Sequence, residues 1–133
     1  MPERFFTLDE AQALLDDRVR ELAEKMVDLR TELRPLEKRW QKLVITVGSN
    51  GGGLAADEAN ETRQRLEEGH EELRGLLQDI VDLGVQVKDP DSGLLDFPSE
   101  IDGQPALLCW RVCEPRIAWW HSPDEGFAGR RPL

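Results

Sequence analysis

Residues 8–47 read LDEAQALLDDRVRELAEKMVDLRTELRPLEKRWQKLVITV, and the spacing of their apolar residues decides the fold. Leu8, Leu15, Leu22, Leu29, Leu36 and Leu43 recur every seven residues, and Gln12, Val19, Met26, Leu33, Trp40 and Val47 recur four positions later. Eleven of these twelve are apolar. A repeat averaging about 3.5 residues draws one stripe down a helix and calls for a partner helix to cover it. Thr7 precedes the stripe and Glu10 follows three residues on, the pattern of a capping box. Pro35 falls inside the pattern; lacking an N–H, it is expected to kink or divide the helix near residues 31–35.

Downstream, Gly48-Ser49-Asn50-Gly51-Gly52-Gly53 interrupts any regular element. A second seam then carries Ala59, Leu66, Leu73 and Ile80, with Thr62, Gly69, Leu76 and Leu83 four short of the next, and stops at Gly84. Two seams joined by a short glycine-rich loop predict an antiparallel hairpin of helices near 8–47 and 55–83. Forty helical residues extend about 60 Å and twenty-eight about 42 Å, so the start of the first helix lacks a helical partner. The segment after Gly84 is the natural cover for Leu8, Leu15 and their neighbours.

That segment changes period. Strand signals lie at 85–88, 94–97, 106–112 and 116–121, separated by Asp89-Pro90-Asp91-Ser92-Gly93, Asp102-Gly103 and Cys113-Glu114-Pro115. They predict an antiparallel sheet of three or four strands. With Cys113-Glu114 as a tight turn, Cys109 opposes Ala118 and Ala106 opposes His121. Trp110, Ile117, Trp119 and His121 then share one face and Cys109 lies on the other, which argues against a Cys109–His121 pair and leaves Cys109 a small buried hydrophobe. Asp96 alternates away from Leu95 and Phe97, so it is either solvated or paired.

Chemistry concentrates in residues 94–133, which hold three of the four Trp, both Cys and one of the two His. Imidazole and carboxylate together hold divalent metals. The candidate ligands are His121, Asp96 from the neighbouring strand and Glu10 from the first helical turn, for zinc, iron or manganese; Asp124 and Glu125 lie just beyond. Glu67-x-x-His70 has the spacing of a carboxylate-bridged metal helix, but such bundles need the motif twice and the first helix has no His. Trp40 is read as core or dimer interface.

The chain of 133 residues carries a net charge of -10, against nucleic acid and anionic membranes as partners. Residues 1–84 hold 19 acids and 12 bases and residues 85–133 hold 8 and 5, so the acidity is not a tail. No apolar run approaches the roughly 20 residues of a membrane span, and MPERFFTLDEAQ lacks a signal-peptide pattern. Cys109 and Cys113 in one extended run would stand roughly 13 Å apart, beyond disulfide reach. These features predict a reduced, cytoplasmic protein. With two His and neither a phosphate loop nor a zinc-type Cys/His cluster, an interaction or regulatory role leads; the alternative is a small metal-dependent enzyme using His121 and nearby carboxylates.

The tail carries Lys88-Asp89, then Gly93-Leu94 with Asp96-Phe97-Pro98, Leu108-Cys109-Trp110, Glu114 with Ile117 and Trp120-His121, and Gly126-Phe127 with Arg130. With the opening FTLDEA and the long helices, this resembles the bacterial domain-of-unknown-function family numbered 2203 over essentially the whole chain. The resemblance implies a small, mostly cytoplasmic prokaryotic protein without an assigned activity, with a metal-binding label on some members. The family pattern favours Gly where this chain has Cys113. Glycine suits a turn with positive φ, which Cys adopts at a cost of about 1 kcal/mol or more.

The expected architecture is α+β and mostly α, one domain over 1–133: a long antiparallel helical hairpin at 1–84 and a β-rich cap at 85–133. Apolar flanks on a lone hairpin predict a homodimer.

Overall fold

The computed structural model describes residues 4–50 and 53–133; residues 1–3 of the N-terminal reading and Gly51-Gly52 of the glycine loop lie outside them. The first helical region consists of α1 (Leu8–Leu14), one π-helical turn (Leu15–Val19) and α2 (Arg20–Asn50). Its start follows from the predicted cap: the Glu10 N–H donates to Thr7 Oγ1 at 3.1 Å, and the Thr7 N–H donates to Glu10 Oε1 at 2.9 Å. The π turn is marked by the Arg20 N–H, which donates five residues back to the Leu15 carbonyl. More residues per turn keep Ala11, Leu15 and Val19, spaced by four, on one face, and all three are fully buried.

The helix is not divided at Pro35. α2 runs through it to Asn50, past Gly48 and Ser49. Pro35 and Thr31 are both exposed, so water can satisfy the carbonyl that the proline leaves without a donor. α3 (Leu54–Asp82) returns antiparallel to α2. No helix among the described residues is long and apolar enough to cross a membrane.

The chain divides into two compact units, one of Met1–Val27 with Leu76–Leu133 and one of Asp28–Gly75. In the second, α2 and α3 pair along the predicted seams: Leu33, Thr62, Leu66 and Leu73 are buried. Gly69 sits where the helices approach closely, since a Cβ there would lie 2.3 Å from Leu33 Cδ2. Arg39–Glu58 at 2.8 Å and Arg65–Glu32 at 3.5 Å bridge the exposed flanks.

The first unit holds a five-stranded antiparallel meander in the order β1 (Gln86–Asp89), β2 (Leu94–Ile101), β3 (Gln104–Arg111), β4 (Trp119–His121), β5 (Arg131–Pro132). Asp102 and Gly103, both at positive φ (54° and 77°), make the tight turn between β2 and β3. β2 continues through Pro98, beyond the extent its sequence predicts. β1 pairs only with residues 94–96, which leaves the Pro98 side of β2 free of a strand, and the Pro98 carbonyl instead accepts the Phe6 N–H at 2.7 Å. Leu95, Phe97, Leu108 and Trp110 form one face of the sheet and are buried in the core that also contains Leu15, Val19, Met26 and Ile80. Leu15 and Val19 are buried as expected under the C-terminal segment, whereas Leu8, at the very start of the helix, stays 41% exposed.

Candidate metal centre

The other face of the sheet carries the chemistry. Asp96 is the direct partner of Cys109, and Leu107 is the direct partner of His121. Directly opposed residues of an antiparallel pair project to the same side, so Asp96, Cys109 and His121 stand together. This corrects the expected parity. The predicted register set Cys109 against Ala118 and Ala106 against His121, whereas Cys109 pairs with Trp119 and Leu107 with His121. Trp110 accordingly lies on the face opposite Trp119 and His121.

The physical reason is the connection over 112–118. Cys113 does take positive φ (87°), and the Glu114 N–H returns to the Arg111 carbonyl at 3.0 Å, but the chain does not then rejoin the sheet. The Ile117 N–H donates to Gln12 Oε1 at 2.9 Å, and Arg20 donates to the Glu114 and Pro115 carbonyls at 3.3 and 3.1 Å. The helix thus claims backbone that a tight hairpin would have placed in a strand. A one-residue slip moves every later side chain to the other face.

Within the cluster, one ligand atom from each of Asp96, Cys109 and His121 lies within 4.8 Å of the others. All three residues are at most 2% exposed. His121 Nδ1–H donates to the Ser122 carbonyl at 2.8 Å, and Nε2 stands 3.1 and 3.0 Å from the two Asp96 oxygens. Because a carbonyl only accepts, Nδ1 carries the hydrogen, which leaves Nε2 facing the Asp96 carboxylate. Either a proton on Nε2 or a cation between the two groups holds this contact together. Burial, followed by the charge of Asp96, pushes the Cys109 thiol up to about 12. A cation at this point would relieve all three groups: it bonds the lone pair, balances the carboxylate and draws off the thiol proton. The second ring nitrogen, held by a backbone carbonyl, is the usual outer support of a metal-ligating histidine.

The structure brings together His121 and Asp96 of the residues singled out in the sequence, and it adds Cys109. Glu10 is not in the group; its carboxylate accepts the Thr7 N–H on the exposed first turn, whose hydrogen bonds hold it below the usual carboxylate range. Asp124 is exposed. Glu125 accepts from Ser122 Oγ at 2.9 Å and pairs with Arg131 at 2.7 Å. In the helical unit, His70 meets Glu37 at 3.2 Å and Glu67 pairs with Arg63. The Asp96–Cys109 pairing was within reach of the sequence: a two-residue turn at Asp102-Gly103 sets Ile101 against Gln104, and counting back equally sets Asp96 against Cys109.

A clamp holds the C-terminal segment over this face. Arg130 Nη2 donates to both Glu114 oxygens at 2.6 and 2.9 Å and to the Cys109 carbonyl at 3.3 Å. Its guanidinium also lies over the rings of Trp119 and Phe127, at 5.2 and 4.7 Å. The tail motifs therefore supply both the clustered donors and the clamp that covers them. The family described as Uncharacterized conserved protein (DUF2203) matches residues 4–133. The chain belongs to this family. No curated protein and no solved structure matches it. In this member of the family, Cys113 occupies the positive-φ position where glycine fits without strain.

Proposed function

We propose that this protein is a small homodimeric interaction or regulatory protein that holds a divalent metal at Asp96, Cys109 and His121. One observation carries the reading: three donors of different chemistry converge in a buried site, with the imidazole already oriented by the Ser122 carbonyl. Thiolate, imidazole and carboxylate together suit zinc first, with ferrous iron as the nearest competitor. The buried setting also favours a cation, since a carboxylate is costly out of water unless its charge is compensated.

The test is metal analysis of protein purified without a histidine tag, followed by equilibrium dialysis against zinc. About one zinc per chain is expected, lost in His121→Ala and Cys109→Ser and retained in His70→Ala. A protein that takes up no zinc, iron or manganese overturns the reading. A cleft beside Asp96 and His121 favours the second reading, a metal-dependent enzyme built on the same ligands.

A further inference from the structure

Beside the cluster lies a cleft of about 180 Å³ bordered by Asp96, His121, Lys88, Leu107, Glu125 and Phe127. We infer that this cleft binds a small aliphatic monocarboxylate, whose carboxylate occupies the remaining coordination position of the metal and pairs with Lys88. The inference rests on the metal site proposed above.

Three protein ligands leave a tetrahedral ion one position for an external ligand. Asp96 and His121 border the cleft and Cys109 does not, so the thiol closes the far side and the cleft side is left for that ligand. Charge then selects the ligand. A divalent ion bound by the Cys109 thiolate and the Asp96 carboxylate has no net charge left over, and Arg131 already balances Glu125 at 2.7 Å. Lys88 remains as the cation at the rim, which matches a single negative charge better than the two of phosphate.

The backbone supports this role for Lys88. β1 pairs Val87 with Leu95 and then Asp89 with Leu94, so Lys88 is the extra residue of a bulge and has no partner across the strand. Bulges of this kind re-aim a side chain and are frequent beside functional sites. Leu94, Leu107 and Phe127 give the cleft apolar walls. Its volume corresponds to roughly six waters, enough for a chain of a few carbons.

Cobalt-loaded protein provides the test, because the visible bands of cobalt(II) report both the thiolate bond and the occupant of the remaining position. Titration with butyrate should change the ligand-field bands saturably while the thiolate band and the cobalt content persist. Lys88→Gln should weaken butyrate by about tenfold, as expected for loss of one charge-assisted contact, with cobalt stoichiometry unchanged. Butylamine should produce no change. Failure to bind cobalt overturns the metal reading itself. Cobalt bound with bands that butyrate leaves unmoved overturns this inference alone, as does a response to phosphate in place of butyrate or equal butyrate affinity in Lys88→Gln.

Discussion

Cys109 sits in a place that makes its proton hard to remove. Burial and the Asp96 charge raise the folded thiol from an ordinary value of 9.0 to about 12. A group whose folded pKa is raised contributes stability that is complete below the unfolded value and is lost as pH rises through the folded one. Metal-free protein should therefore lose stability between about pH 9 and 12, and Cys109→Ser should lack that part of the alkaline decline; urea denaturation across this range measures it. Alkylation of the metal-free protein near neutral pH should modify exposed Cys113 and spare buried Cys109. Glu114 and Arg130 form the other sensitive pair, with side chains 19% and 11% exposed. Removing one partner of a mostly buried ion pair strands the other charge, so Glu114→Ala should cost about 2–4 kcal/mol. The double variant Glu114→Ala with Arg130→Met should recover part of that loss, again by urea denaturation.

At the scale of elements, the helical pair makes a prediction of opposite signs. A Cβ at Gly69 meets buried Leu33, whereas one at Gly75 meets nothing within 4 Å. Gly69→Ala should destabilise by about 1 kcal/mol, overpacking outweighing the gain in helix propensity. Gly75→Ala should stabilise by up to about 1 kcal/mol. Thermal unfolding followed by circular dichroism at 222 nm reads both. The seams themselves were legible in the sequence, because a helix must bury its apolar stripe whatever surrounds it. Pro35 was not: its cost depends on whether water reaches the Thr31 carbonyl, and burial is a property of the folded chain. The β2–β3 pairing follows from a two-residue turn that local chemistry dictates. The β3–β4 register does not, because Gln12 and Arg20, far away in sequence, hold the backbone of residues 114–117.

For the whole molecule, the apolar side chains left in solvent near the loop end of the hairpin carry the dimer prediction. Leu54 is 83% and Ile45 70% exposed, with Val44 beside them. A second copy would cover them across a two-fold axis. Sedimentation equilibrium at micromolar protein should give twice 15.1 kDa, and Ile45→Glu with Leu54→Glu should return the chain to that single mass; a wild-type mass of 15.1 kDa would sink the idea. The hairpin, its capped start and the change to a sheet after Gly84 were legible in the sequence, because each follows from a repeat, a cap or a turn read over a few residues. The Asp96–Cys109 pairing, though countable from the Asp102-Gly103 turn, emerged from the structure. That His121 joins Asp96 and Cys109 is a property of the folded chain. Its face depends on how many residues the 112–118 connection uses, and that count is set by hydrogen bonds to a helix a hundred residues away, which no local pattern encodes.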